Sequence, residues 1–374
     1  MEVRARTENH PAAAWVNLDH IRENFRAIRS YAGTRAVIPV LKADGYGHGA
    51  IPVAQALEPL GVAMFAVAYV EEGIRLRQGG IEAPILVLTG FAPEQVHDLS
   101  EFRLTPVIST PEQIGTLQAL PHDEDRPRLA VHVKVDTGMS RLGFSIRELE
   151  PAIHHLEDLE SVRIEGLMTH LASADEDELA TSRHLDVFEE AIIRLETLGI
   201  RPALIHAANS AGLAFPRPSH SAVRPGLLLY GIRPRPLSPE LMVRPAMELK
   251  ARVALVKTVA SGTPVSYGGR FVASGETRIA TINAGYADGI PRSDRMREQG
   301  FVKYGPVRLK VAGAVCMDLT MLDASDADDL VAGDQVTVFG ETPSVWELAE
   351  WAGTNPWQVL TGIGPRVPRR YIGS

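Results

Sequence analysis

The sequence predicts a (β/α)8 barrel followed by a smaller, mainly β domain. Two observations carry this. Eight short aliphatic or β-branched runs alternate with segments of helical spacing between residues 37 and 229. After Tyr230 the texture changes: Pro234, Pro236, Pro239 and Pro245 crowd together, and strand-like runs follow with few helices between them. The alternation alone also suits an open doubly wound sheet, but a count of eight favours the closed barrel. The expected domains are residues 1–240 and 241–374.

The barrel runs, in order, are Val37–Leu41, Met64–Ala68, Pro84–Leu88, Leu104–Ile108, Leu129–Val135, Ile164–Thr169, Ala203–Ala207 and Val223–Leu229. Helices are expected at Ile51–Leu60, Val70–Gln78, Ile146–Leu156 and Leu179–Leu198. In the last of these, Leu185, Phe188, Ile192 and Leu195 share one face. Ala14–Leu18 is strand-like but precedes the eight, so it is free to pair with the C-terminal domain. There, strands are expected at Glu248–Val259, Thr277–Asn283, Val307–Ala312 and Gln335–Phe339.

Composition narrows the function. The chain has 374 residues, 45% of them hydrophobic, and a net charge of −8. That is ample for a core and too acidic for a general nucleic-acid or anionic-membrane surface. A single cysteine, Cys316, excludes an internal disulfide and a multi-thiolate metal site. No apolar run approaches the roughly 20 residues of a membrane-spanning helix. Met1–His10 lacks the apolar stretch of a secretory signal, so the cytoplasm is the expected location.

In a barrel the chemistry sits where the strands end. Lys42 follows the first run and opens the glycine-rich Val40-Leu-Lys-Ala-Asp-Gly-Tyr-Gly-His-Gly49. Lys134 ends the fifth and leads to Arg141; His170 ends the sixth, Asn209-Ser210 follow the seventh, and Arg224-Pro-Gly226-Leu227 lie at the eighth. Each has an ordinary reading, as a surface cation, a hydrogen-bonded histidine or a helix-capping serine. Their convergence on one rim is harder to explain as packing. A desolvated lysine at a strand end suits Schiff-base chemistry with a carbonyl or pyridoxal phosphate (PLP). Ser210 with the Gly226 and Leu227 amides suits a phosphate. No nucleotide-binding Gly-x-x-x-x-Gly-Lys-Ser/Thr occurs, and no His-x-His pair, so neither a nucleotide triphosphate nor a metal is expected.

The lysine segment resembles the PLP-lysine motif of the alanine racemase family. Six further segments resemble that family in the same order: Lys134-Val-Asp-Thr-Gly-Met-Ser-Arg141-Leu-Gly, Thr169-His170, Asn209-Ser210, Val223-Arg224-Pro-Gly226, Asn283-Ala-Gly-Tyr286-Ala-Asp-Gly and Val315-Cys-Met317-Asp318. Gly362-Ile-Gly-Pro-Arg-Val-Pro368 resembles its closing segment. The resemblance implies a PLP-dependent racemase of L- and D-alanine supplying D-alanine for peptidoglycan, or a racemase of the same architecture acting on serine or other amino acids. It implies that Lys42 holds PLP and serves as one base, and that Tyr286 serves as the other from the partner subunit of a homodimer. Arg141 and the Met317 backbone would hold the substrate carboxylate, with Asp318 in support and Lys134 a site of carbamylation. Arg224 would face the pyridine nitrogen, supported by His170. Tyr46, Asn209, Ser210, Gly226 and Leu227 would complete the cofactor site. The chain departs from the family at Trp357, where a tyrosine is usual, and at Ser140, where glycine is frequent.

Overall fold

A computed structural model describes residues 10–120, 127–234, 237 and 240–373. The first nine residues, and Pro236 and Pro239 of the proline cluster, lie outside them. The chain divides into two compact units. One comprises Ile21–Gly45 and Ala50–Arg244; the other comprises Met1–His20, Tyr46–Gly49 and Pro245–Ser374.

The first unit is the barrel. Phe65–Val67, Ile85–Val87, Leu104–Ile108, Leu129–Lys134, Val162–Met168 and Leu204–His206 form a parallel sheet in chain order. Ala36–Val37 and Ala222–Val223 pair with each other in parallel. Backbone bonds close the ring on both sides of that pair. Val40 bridges Ala66, and the Ser221 amide donates to the Ile205 carbonyl at 2.9 Å. This closure separates a barrel from the doubly wound alternative. Several strands are apolar on both faces, as suits parallel strands covered by helices; Phe65–Val67 and Ile85–Val87 are buried throughout.

Helices return the chain between strands. Val70–Gln78 lies where helical spacing put it. Glu178–Thr197 buries Leu185, Phe188, Ile192 and Leu195 together, and Asp177 caps its first turn through the Ala180 amide. The expected Ile51–Leu60 helix is Ala50–Leu57 followed by a 3-10 turn at Glu58–Leu60, where Pro59 cannot donate to an α-helical ladder.

The second unit is built on antiparallel strands. Thr277–Ile282, Thr320–Asp323, Val307–Val311, Phe301–Tyr304, Gln335–Phe339 and Met247–Val259 follow one another across the sheet, and the last also pairs with the first. Met247–Val259 can do this because register shifts at Leu249/Lys250 and Val253/Leu255 bend it. Ala12–Asn17 pairs antiparallel with Met247–Val259 and parallel with Arg369–Ile372. Three helices, Asp294–Gln299, Val345–Ala352 and Pro356–Thr361, add more helix than the sequence reading allowed.

Candidate active site

Lys42 begins a turn of unusual backbone. Ala43, Asp44, Gly45 and Tyr46 all have positive φ, between 51° and 62°. For the three with side chains this left-handed region costs roughly 1–2 kcal/mol each. Three bonds hold it. The Ala43 amide donates to Glu72 Oε1 at 2.7 Å, the Gly45 amide to the Leu41 carbonyl at 2.7 Å, and Asp44 Oδ1 accepts the Ala50 amide at 2.9 Å. Glu72 Oε2 also accepts the Ala68 amide, so one carboxylate ties the lysine turn to the end of the second barrel strand. Burial, then the positive charge of Arg141, lowers the Lys42 pKa. An amine biased towards its neutral form is the nucleophile an imine requires. Burial likewise raises the Tyr46 phenol.

Lys134, at the end of the fifth strand, is buried. Its pKa falls to about 8, first through burial and then through Arg141 and Arg224. Arg141 is carried by a loop folded around Asp136, whose Oδ1 accepts the Gly138, Met139 and Ser140 amides at 2.9–3.1 Å. Ser140 there has φ 54°, a conformation glycine adopts without strain. Gly143 closes the loop so tightly that a Cβ would lie 2.7 Å from the Asp136 nitrogen.

Arg224 is buried at the eighth strand, and burial brings its pKa to about 9. NH1 donates to His206 Nδ1 at 2.6 Å and to the His206 carbonyl at 2.8 Å; NH2 donates to the Thr169 and Ala207 carbonyls at 2.7 and 3.1 Å. Four of the five guanidinium N–H groups are thereby used, which leaves Nε–H as the donor for a ligand. Because a guanidinium only donates, His206 Nδ1 accepts and its proton lies on Nε2. That nitrogen meets His132 Nδ1 at 2.7 Å, and His132 Nε2 in turn faces Glu165 at 3.5 Å, long for a hydrogen bond. The His132 contact, the largest influence on Glu165, draws its pKa down to about 2. His206, rather than the expected His170, is thus the histidine bonded to Arg224. His170 is pushed far towards neutrality by burial and then by Arg224, Arg141, Lys134 and Lys42.

Ser210 and the Gly226 turn come together as the sequence suggested. Ser210 Oγ accepts the Gly226 amide at 3.0 Å and the Leu228 amide at 3.3 Å. The Gly226 amide, expected in a phosphate cradle, is therefore engaged by Ser210 here. Leu227 begins the 3-10 turn Leu227–Tyr230. Asn209 accepts the Gly212 amide at 2.8 Å and shapes the same loop.

In the second unit, Tyr286 opens a 3-10 turn, Tyr286–Asp288, and is 38% exposed. Its amide donates to the Cys316 carbonyl at 3.0 Å, and that of Ala287 to the Met317 carbonyl at 3.1 Å. Gly285 permits this approach, since a Cβ there would strike both carbonyls. Asp288 is buried and receives Arg366 Nε and NH2, both at 2.8 Å, while Arg366 NH1 reaches Asp318 at 2.8 Å. The Arg292 guanidinium lies 5.8 Å from the Tyr286 ring centre. Trp357 is the second residue of Pro356–Thr361 and is half-buried.

Two family models cover the chain: "Alanine racemase, N-terminal domain" over residues 16–234 and "Alanine racemase, C-terminal domain" over 246–371. The chain is a member of the alanine racemase family. Alanine racemase from Carboxydothermus hydrogenoformans is 41% identical over 374 residues, covering 97% of this chain and 100% of that one. Among solved structures, alanine racemase of Clostridium difficile 630 is 33% identical, with TM-score 0.89 over 97% of this chain and 96% of its own. Alanine racemase from Bartonella henselae with covalently bound pyridoxal phosphate is 28% identical, with TM-score 0.85 over 97% and 99% of the two chains. The family is one of PLP-dependent isomerases built from an N-terminal barrel and a mainly β C-terminal domain.

The residue set fits the cofactor of alanine racemases. PLP needs an amine to bind its aldehyde, donors for its phosphate and a group opposite its ring nitrogen. Lys42, Ser210 with the Leu227 turn, and the remaining Nε–H of Arg224 supply these chemistries. Sequence reasoning passed over three residues: Glu72, which braces the Lys42 turn; His206, which receives Arg224; and Arg366, which braces Asp288 and Asp318 in the second unit. Glu72 lay in a helix among other exposed acids, His206 inside an apolar strand run, and Arg366 in the closing segment without a role. Among the described residues there is no cluster of metal ligands, and no helix long and apolar enough to cross a membrane.

Proposed function

We propose that the protein interconverts L- and D-alanine by two-base proton exchange, supplying D-alanine for peptidoglycan in the cytoplasm. The observation that carries this reading is Arg224. A buried guanidinium, bonded through four donors to neutral acceptors, offers a fifth donor and no acceptor to a pyridine nitrogen. PLP, when bound, supplies the electron sink that acidifies the substrate α-carbon. Facing it with arginine keeps that sink weak, which favours simple proton exchange over transamination.

Lys42 Nζ would hold the cofactor, and its amine would take or return the proton on the D-side. The Tyr286 phenolic oxygen does the same on the L-side, since inversion needs one base on each face. We assign Tyr286 to the site of a partner subunit in a homodimer. Arg141 and the Met317 amide bind the carboxylate, the former with its planar fork; Asp318 supports that loop. Lys134 beside Arg141 is the carbamylation site. Ser210, Tyr46, Asn209, Leu227 and Gly226 would hold the phosphate end, Gly226 by exchanging its Ser210 contact for the ligand, and His170 would line the same cofactor site. The barrel domain ends near residue 240.

The test is the visible absorbance of the purified protein and the decay of optical rotation of L-alanine. Cofactor absorbance with racemisation of alanine, ahead of serine and larger amino acids, is expected. Absorbance without loss of rotation, or release of carbon dioxide instead, overturns the reading. Faster racemisation of serine would move the protein to the alternative racemase.

A further inference from the structure

We infer that Arg366 is a positioning residue that locks the Tyr286 base and the Met317 carboxylate-binding loop into one block. The inference deepens the reading above and rests on Tyr286 being the L-side base.

The geometry is specific. Tyr286 lies in a single 3-10 turn, and two backbone bonds join that turn to the loop at Cys316 and Met317. Those bonds fix the backbone but share a hinge: both run between the same two short segments. Arg366 adds a brace from outside. Its Nε and NH2 take both oxygens of Asp288, the residue ending the Tyr286 turn, in a bidentate pair. Its NH1 takes Asp318, the residue after Met317. Asp288 is 1% exposed, and its Oδ2 also accepts the Gly285 amide on the near side of Tyr286. One planar cation therefore grips both ends of the Tyr286 turn through Asp288 and the Met317 loop through Asp318. Lysine carries the same charge but not the three-directional fork. The two carboxylates raise the Arg366 pKa further, so the guanidinium itself stays charged.

Rates alone cannot test this. L- and D-alanine are mirror images, so their equilibrium constant is one and kcat/KM must fall equally in both directions. Isotope effects do separate the bases: deuterium at Cα reports removal by Tyr286 from L-alanine and by Lys42 from D-alanine. In Arg366→Gln holoenzyme, kcat/KM should drop about 10²-fold, the scale for a misplacement near 1 Å. The isotope effect should rise for the L-substrate and not for the D-substrate. Arg366→Lys should recover part of both changes. Arg366→Gln strands the Asp288 carboxylate, so Asp288→Asn/Arg366→Gln supplies a neutral pair in case the single variant fails to fold; it should show the same asymmetry. A readout without turnover is the fluorine resonance of 3-fluorotyrosine at 286 in the apoprotein, which should broaden or split in both Gln variants.

Equal isotope effects in the two directions, or a rate loss that follows melting temperature with the Tyr286 resonance unmoved, would overturn the clamp. Tyr286→Phe distinguishes that failure from failure of the underlying reading. If Tyr286→Phe keeps the wild-type rate and L-side isotope effect, Tyr286 is not the base. If it loses both while the Arg366 variants remain symmetric, only the clamp falls.

Discussion

The two units handle charge in opposite ways. At the barrel strand ends Lys42, Lys134, Arg141 and Arg224 act on one another, and the acids nearby, Glu72 and Asp136, are committed to backbone amides. Burial is the largest cause of the lowered pKa values of Lys42, Lys134 and Arg224, so gathering these cations is costly. In the second unit the charged groups of one network are paired with each other: Arg366 bonds both Asp288 and Asp318, and His10 Nε2 lies 3.8 Å from Asp288. Cations and carboxylates paired in this way act as scaffold, whereas we propose that the cationic cluster of the barrel receives phosphate and carboxylate. The same residue types thus announce different tasks, and what distinguishes them is whether their charge is already answered within the fold.

The largest expected break in this contrast is Lys42→Ala. It removes the amine that we propose anchors the cofactor, so visible absorbance and racemisation should both vanish. Borohydride reduction of the native enzyme followed by peptide mapping should label Lys42; a label on another lysine would sink the assignment.

Next in size is a mixing experiment that asks whether receptor and scaffold of different chains make one site. Lys42→Ala and Tyr286→Phe should each be inactive. In a randomly exchanged population roughly half the dimers are mixed, and one of their two sites is native, so about a quarter of sites should recover. No recovery after verified exchange would place Tyr286 with its own barrel.

A smaller effect tests the cost of the cluster directly. Lys134 titrates at about 8 in the fold against an ordinary 10.5. Between those values the unfolded chain binds more protons, so stability should rise with pH across that window. The slope is at most about 1.4 kcal/mol per pH unit. Apoenzyme in carbon-dioxide-free buffer should show this rise in denaturant titrations, and Lys134→Met should show a shallower one, since Lys42 and Arg224, also lowered by burial, contribute with the same sign. Carbamylation replaces the amine, so added bicarbonate should flatten the wild-type curve.

The smallest change expected is at Trp357. We expect the indole to narrow the substrate entrance without reaching the phosphate, so that Trp357→Phe leaves PLP dissociation unchanged and raises activity on serine relative to alanine. A loss of about 1.5–3 kcal/mol in PLP affinity would show instead that the indole donates to the phosphate.

The barrel was legible because its signal is one of repetition. Apolar runs such as Ile85–Val87 are flanked by helix formers, and the count survives errors of one or two residues at each end. The second unit was read less fully, since Phe301–Tyr304, Thr320–Asp323 and Arg369–Ile372 are four residues each and too short to show a period. Among the candidate residues, Lys42, Lys134 and Arg224 stood out because all three fall at strand ends, on one rim of the expected barrel. His206 did not, because a histidine inside Ala203–Ala207 has the look of ordinary core, and only the structure shows that its ring receives Arg224. Glycines at 45, 47 and 49 signalled left-handed backbone, but nothing in Ala43 or Asp44 did.

That left-handed turn has a consequence for the order in which the molecule is made. Short-range backbone preference opposes the conformation at Ala43 and Tyr46. Two of the bonds that hold it are local, from the Gly45 amide to Leu41 and from the Ala50 amide to Asp44, but the third comes from Glu72, 29 residues after Ala43, on the helix after the second barrel strand. A nascent chain emerging as far as Lys42 therefore carries an ordinary, mobile, fully protonated amine. The full set of bonds that holds the lysine turn exists only once the helix bearing Glu72 has docked. If Lys42 holds the cofactor, as we propose, its capture would follow that docking rather than precede it.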